Sequence, residues 1–376
     1  MKKEFDFDVL IIGGSHFNAL GVIRSLGEKG IRPYLLVLDR KNAYIKKSKY
    51  LKKTFYSKND EKEIINKLMN EISFENKKCY IVPTGDPITS IIDNNYGVLS
   101  KKYIVPNINN TQGLINKYMD KYEQYNLAQK NNFKMAKTEV IDLKSNNIAN
   151  TIYPCILKPL VSADGVKADI RICNNQIEFK NAIEEFKAKN YLSVLLQEFI
   201  DYDFELDVPG YSDGKKANIE GMIKKKNIYP AKRGSTSYGT IVNSNIKNID
   251  NLCKILESLK YNGIFDIELF SRKGEIYLNE INFRNSAISY GLTGAGVYVI
   301  YEWIMSNEGV KINHNTIDAE YDFIVENYNL NLVLSKDITL LSFIKDLFKA
   351  KKYTYISFKD PKPLVYKFIY SLKKER

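Results

Sequence analysis

The stretch that most constrains this chain spans residues 263–284, GIFDIELFSRKGEIYLNEINFR. Two apolar runs, 264–270 and 275–281, flank a Ser-Arg-Lys-Gly turn, and alternating side chains on such strands point to opposite faces. The pattern predicts a hairpin with Asp266 and Glu268 on one face and with Glu280 and Asn282 sharing a face. Folding it would gather Glu268, Glu280 and Asn282 into an all-oxygen cluster, with Arg284 two positions further on. Hard divalent cations such as Mg²⁺ take donors of this kind and usually keep waters or phosphate oxygens as well. A solvated hairpin whose acids face water is the alternative, and taken alone the hairpin favours it; the motifs around it shift the balance.

The rest of the composition narrows the chemistry. A chain of 376 residues, 44% hydrophobic and 27% charged, reads as two or three ordinary globular domains. No apolar run approaches the length of a bilayer span, and the start MKKEFDFDVLIIGG lacks a signal-cleavage pattern, so a cytoplasmic location is expected. Cys79, Cys155, Cys173 and Cys253 are far apart in sequence with no paired spacing, which favours reduced thiols over zinc or redox motifs. With only His16 and His314, a histidine relay is hard to assemble, leaving carboxylates, lysines, arginines and a cofactor. The formal charge of +12 is sharpest at the end, where residues 345–376 hold 10 Lys/Arg against 3 Asp/Glu. A solvated basic surface, an anionic substrate and a membrane surface all fit that excess, whereas nucleic acid ranks last because no recognised module is present.

Residues 8–12, then Gly13-Gly14-Ser15 and 18–26, read as strand, tight turn and helix, with the next strand at 31–38. This βαβ opening is doubly wound in type, although GGSHFNALG is not a full dinucleotide fingerprint and a packed half without nucleotide stays open. Strands are expected at 79–83 and 103–105, with Thr84-Gly85-Asp86-Pro87 at a strand end where ligands sit. Beyond Thr111, Leu114, Tyr118, Tyr122 and Tyr125 recur at helical spacing beside Lys117 and Lys121. In YPCILKP, Lys158 stands in apolar surroundings, so it either meets an anion or snorkels to the surface. Ser162 and Gly165 fall in a turn whose backbone N–H groups could cover phosphates. The strand SVLLQEFI, residues 193–200, leads to Glu205 and Asp207. Arg233, beside Lys232, is an anion holder or a strand-end surface arginine.

Five pieces in this order resemble the ATP-grasp superfamily: the βαβ opening, MDKYEQYNLAQKNNFKMAKT, ILKP, LLQEFI with its downstream Glu205, and DIEL…NEINFR. The resemblance implies an α/β chain with a Rossmann-like pre-ATP-grasp domain at 1–110. An ATP-grasp domain of two lobes would follow at 111–310, with a flexible lid at about 152–195, and a basic extension at 311–376. It implies that Lys121 and Lys158 hold nucleotide phosphates, with Ser162 and Gly165 in the phosphate loop. Gln197, Glu198, Phe199 and Ile200 would form the adenine hinge, and Glu205 would bind ribose. Glu268, Glu280 and Asn282 would hold Mg²⁺ (or Mn²⁺), with Asp266 as a competitor for Glu268, and Arg284 would steady the acyl phosphate. Phe283 stands where the family usually has proline, and SADGVKAD is poor in glycine for a phosphate loop.

Within the superfamily the EINFR run and the residues after it are similar to D-aspartate ligases and to carbamoyl-phosphate synthase large subunits. The implied reaction is ATP-dependent joining of a small-molecule carboxylate to an amine through an acyl phosphate, with Arg284 and Arg233 as the catalytic candidates. A small amino acid joined to an amino acid, peptide or cell-envelope precursor is the expected pairing. A phosphate-transferring or carbamoyl-phosphate-type enzyme, and a non-catalytic nucleotide binder, are the alternatives. The basic C-terminal segment either rests on an anionic membrane or packs as a helix with a solvated lysine edge, and a homodimer is compatible with everything above.

Overall fold

The computed structural model describes residues 5–38, 42–145, 152–160, 169–231, 234–313 and 317–372. Ser162, Gly165, Lys232 and Arg233 lie outside them. The first apolar run forms β1 (Phe7–Gly13), buried along its whole length, as a central parallel strand requires. It joins β2 (Tyr34–Leu38), β3 (Lys53–Ser57) and β4 (Lys78–Pro83) in a parallel sheet of order β3-β2-β1-β4. The crossover helix Phe17–Glu28 is capped by His16, whose Nδ1 accepts the N–H of Asn18. The turns at Gly14 and Gly85 therefore sit at the carboxyl ends of neighbouring strands, the usual ligand position of such sheets.

Two expectations are corrected in the segment that follows. The strand at 103–105 shrinks to one bridge, between Ile104 and Tyr80, because Pro106 cannot donate to a ladder. The chain instead places β5 (Asn107–Ile108) on the edge of the large sheet. The helical spacing from Leu114 to Tyr125 belongs to two helices, Leu114–Met119 and Lys121–Lys130. Asp120 breaks them: its backbone is extended and its carboxylate accepts the N–H groups of Tyr122 and Glu123. Lys121 thus heads a helix.

β6 (Thr138–Asp142), β7 (Cys155–Lys158), β8 (Arg171–Cys173) and β9 (Ser193–Glu198) form a small antiparallel sheet of order β6-β9-β7-β8. The helix Gln176–Ala188 packs Phe179, Ile183 and Phe186 onto Leu157 and Val194, giving this sheet its own core. Cys155 lies opposite Cys173 across β7 and β8, both buried and free, so these two cysteines are neighbours despite their sequence separation.

The large sheet runs β10 (Phe204–Asp213), β11 (Ala217–Asn218), β12 (Gly221–Tyr229), β13 (Ser235–Asn243), β14 (Tyr261–Arg272), β15 (Glu275–Asn282), β16 (Tyr321–Ile324) and β17 (Ala350–Tyr353) in sequence. Its spatial order is β15-β14-β10-β12-β13-β16-β17, with β11 beside β10 and β5 beside β14. Leu252, Ile255 and Leu256 of the helix Ile249–Ser258 share a core with Phe265 and Ile267 of β14. Trp303 of the helix Val299–Asn307 lies in a second core that continues into the first sheet through Tyr80 and Val82.

A buried charge fastens the last residues to the first unit. Arg24, fully buried on the helix Phe17–Glu28, pairs through Nε with Asp360 Oδ2 at 3.1 Å. Its Nη groups donate to the carbonyls of Thr354, Tyr355 and Asp360 at 2.7, 3.1 and 2.9 Å. Asp360 also accepts from Ser48 Oγ and the N–H of Lys49. No helix among the described residues is long and apolar enough to cross a membrane. Asp360→Ala would leave the Arg24 guanidinium buried without its counter-charge. A loss of about 3–5 kcal/mol of unfolding free energy is expected, measured by urea denaturation.

Candidate active site

A cavity of about 320 Å³ opens between the small sheet and the large one. The small sheet lines it with Lys158, Gln197 and Glu198, and the chain beyond β9 adds Phe199 and Ile200. The large sheet contributes Glu205, Glu268 and Glu280, while Lys121 and Arg284 enter from a helix start and from the end of β15. Asn282 lies just behind, its Oδ1 accepting from Arg284 Nη2 at 3.0 Å. Of the residues marked from sequence, Ser162, Gly165 and Arg233 lie outside the described residues and their placement is left open. Ile156, Ile172 and Phe270 give the cavity apolar lining next to its charged end.

Lys158 does not snorkel. It is 7% exposed, and its Nζ donates to Gln197 Oε1 at 2.8 Å, with Gln197 held in turn through Nε2 to Thr138 Oγ1 at 3.0 Å. Burial, and then the nearby Lys121 cation, pull its amine down to about 8. A buried lysine whose charge is weakened in this way stands to gain from an anion beside it.

The acidic face has a defined register. Asp207 of β10 lies opposite Glu268 of β14, which lies opposite Glu280 of β15, so three carboxylates form a row across three strands. Like charges facing each other across a sheet repel. Lys225, from β12, answers part of that charge: its Nζ is 3.0 Å from Glu205, 3.1 Å from Asp207 and 3.9 Å from Glu268. Burial opposes the Lys225 charge, but Asp207, Glu268 and Glu205 outweigh it and raise the amine well above its usual range. Tyr202 also donates to Glu205.

Asp266 is buried opposite Asn282, and burial, then Asp207 and Glu268, push its carboxyl well above the usual range. Among the described residues, its Oδ1 and the Nδ2 of Asn282 have no hydrogen-bond partner, a costly condition for buried polar atoms. No set of three His, Cys, Asp or Glu side chains among the described residues converges tightly enough to hold a metal ion by itself. A magnesium ion does not need one, because it commonly takes one or two carboxylates and completes its shell from waters and phosphates. The all-oxygen donors, the facing carboxylates and the orphaned Asp266 oxygen fit such an ion.

Arg284 is not an open clamp. Its Nε donates to Asp86 Oδ1 at 2.8 Å, and Asp86, with the nearby Asp266, raises its charge stability against the cost of burial. Asp86 is the first residue of the helix Asp86–Asn94, so the first unit grips the end of the acidic hairpin. Nearby, burial and then the Arg284 charge lower His16 to about 4, which keeps the imidazole neutral. On the other side of the cleft, Gln124 ties the Lys121 helix to β15: its Nε2 donates to the carbonyl of Ile281 and its Oε1 accepts the N–H of Ile281, both at 2.8 Å.

Sequence reasoning missed Lys225, and left Asp207 and Asp86 without roles. The signal was present in Lys224-Lys225-Lys226, where strand alternation puts only the middle lysine on the face shared with Glu205 and Asp207.

Residues 125–288 match the family model of the ATP-grasp domain. The chain carries an ATP-grasp domain. A formate-dependent phosphoribosylglycinamide formyltransferase from Wolinella succinogenes is 29% identical over 138 residues, covering 35% of this chain and 34% of that protein. The chain therefore aligns with about a third of that relative's length. Among solved structures, N5-carboxyaminoimidazole synthetase from Staphylococcus aureus, complexed with ADP, superposes with a TM-score of 0.67 at 14% identity. The superposition covers 89% of this chain and 87% of that one. The L-amino acid ligase from Bacillus licheniformis gives 0.61 at 11% identity, over 81% and 75%. These likenesses establish the ATP-grasp fold well beyond the matched domain.

Removing the Lys225 charge, as in Lys225→Met, would leave Glu205, Asp207 and Glu268 facing one another. The variant should lose about 3–5 kcal/mol at neutral pH. Burial already raises the Asp207 carboxyl, so its protonation relieves the repulsion and the deficit should shrink as pH falls toward 5, read from urea denaturation at both pH values.

Proposed function

We propose that the protein is an ATP-dependent carboxylate–amine ligase that forms an amide through an acyl phosphate. The observation that carries this reading is that Lys121, Lys158 and the carboxylates of the β14–β15 hairpin line one cleft. Lys158 and Lys121 would hold the phosphates of ATP, the backbone at 197–200 would meet the adenine against Ile156 and Ile172, neighbours on one face of the small sheet, and Glu205 would bind ribose. Glu268, Glu280 and Asn282 would hold Mg²⁺, whose chemistry when bound is neutralisation of phosphate charge. The ATP-grasp fold, and its recurrence in structures named as a synthetase and an L-amino acid ligase, support the same class.

A carboxylate cannot acylate an amine directly, because its oxygen is a poor leaving group. Attack of a substrate carboxylate oxygen on the γ-phosphorus breaks the bond to ADP and yields an acyl phosphate. Attack by an amine nitrogen on the acyl carbon then forms the amide and expels phosphate, with the amine proton passing to a base or to solvent. Both steps gather negative charge, which Lys158 and Arg284 would offset as positioned cations. Asp86 holds the Nε edge of the Arg284 guanidinium against the first unit. The substrates would be small molecules in the region between Arg284 and the turns of the first unit, a small amino acid joined to an amino acid, peptide or envelope precursor. The buried free thiols suit a reducing, cytoplasmic setting.

The test is a panel of amino acids, singly and in pairs, followed for ADP and phosphate release with the product identified by mass. An amide with stoichiometric free phosphate is expected; phosphate retained on the product would replace the ligase by a kinase. Glu280→Gln should abolish Mg²⁺-dependent turnover while the far-UV spectrum and melting temperature stay near those of the parent. Arg284→Ala should lower turnover by at least ~100-fold, by analogy with loss of one oxyanion donor.

Lys158 supplies a prediction independent of the second substrate. With its amine near 8 in the free protein, bound phosphates would restore its charge. ADP binding at pH 8.5 should take up roughly three-quarters of a proton, falling toward zero at pH 6.5, where the amine is already charged. Nucleotide affinity should weaken as pH rises above 8. Titration calorimetry in buffers of different ionisation enthalpy checks the uptake, and Lys158→Met should remove it.

A further inference from the structure

The C-terminal segment holds a surface that the ligase reading does not use. None of the ten residues of the helix Leu340–Lys349 is buried. Phe343 and Leu347 pack inward against Tyr238, Ile324 and Ala350. Leu340, Leu341, Ile344 and Phe348 fall on one exposed arc of about 100° of the same helix, flanking that contact. Leu341 is 76% exposed and Phe348 84%. Phe358 is 99% exposed on the following loop, and Val365 and Phe368 are 53% and 68% exposed on the helix Lys362–Leu372. Large apolar side chains concentrated this way on one short segment mark an interaction site.

Charge is sorted along with hydrophobicity. Lys345, Lys349, Lys351, Lys359 and Lys362 are exposed among these side chains. Residues 340–372 contain two acids, and both face the protein. Asp346 accepts from Asn329 Nδ2 at 3.1 Å and from Asn227 Nδ2 at 3.3 Å, and Asp360 is the buried partner of Arg24. What faces outward is therefore aromatic, aliphatic and cationic, without a carboxylate of the segment.

From this sorting we infer that residues 340–372 form a docking surface for an anionic lipid membrane, lying on the interface rather than crossing it. Leucine and phenylalanine side chains enter the boundary between headgroups and acyl chains while the lysines meet lipid phosphates. A second copy of the chain is a poor occupant, because a two-fold contact sets the same patch against itself and brings lysine to lysine. The inference is separate from the proposed reaction, and neither its success nor its failure bears on turnover.

The test is flotation of the full chain with vesicles of phosphatidylcholine alone, and of phosphatidylcholine mixed with phosphatidylglycerol at about three to one. Binding is expected on the mixed vesicles only, and it should weaken when salt rises from about 0.1 to about 0.5 M. Leu341→Asp/Phe348→Asp should reduce partitioning by at least ~10-fold, since it removes buried methylene and ring area from the interface. Each of Lys345→Ser and Lys349→Ser should cost about fivefold. Because all four positions are exposed, melting temperatures should match the parent. Absence of binding to the mixed vesicles, or binding that none of the variants changes, would overturn the inference. So would sedimentation showing a dimer that Leu341→Asp/Phe348→Asp dissociates, without vesicle binding, or capture by an acidic protein in place of lipid.

Discussion

The register of three adjacent strands sets the character of the cleft. Pairing of β10, β14 and β15 places Asp207, Glu268 and Glu280 side by side, an arrangement that raises the energy of the fold unless cations answer it. Lys225 answers from the next strand, and Lys158 answers from the small sheet across the cavity. The balance is incomplete, as the unpartnered oxygen of Asp266 shows. A site built from opposed charges that do not fully cancel among themselves is one in which a polyphosphate and a divalent cation both lower the energy.

The same cleft is joined to the rest of the molecule by few, well-placed polar contacts. Asp86 reaches from the first unit to Arg284 at the end of the hairpin, so the parallel sheet and the ATP-grasp domain share one ion pair beside the cavity. Arg24, on the first helix of the same unit, holds the C-terminal strand and loop through Asp360 and three carbonyls. The first unit thus contacts both the acidic end of the large sheet and its far end, and the core around Trp303 continues between them.

Much of this was readable from the chain. The alternation in residues 263–284 located the hairpin and its facing acids, because period-two patterning is a local property of strands. The order of five short motifs carried the ATP-grasp resemblance, and ten of the residues it marked line one cavity. What the sequence did not reveal depends on cross-strand neighbours. The position of Lys225 among three acids, the pairing of Asp86 with Arg284, and the opposition of Cys155 and Cys173 each require a register that spacing alone does not supply. The break at Asp120 was hidden for another reason: a cap residue sits inside an unbroken helical periodicity, and its extended backbone is decided locally.

The tie between Gln124 and Ile281 has a mechanical implication. A single amide side chain clasps both backbone groups of one residue on β15, so the helix that begins with Lys121 is geared to the strand bearing Glu280. Lys158 is instead carried by the small sheet, which a backbone bond from Lys121 to Leu160 joins to that helix. The two cations therefore ride on different parts of the fold: a swing of the small sheet would alter the gap between them, yet leave the distance from Lys121 to the acidic strand unchanged.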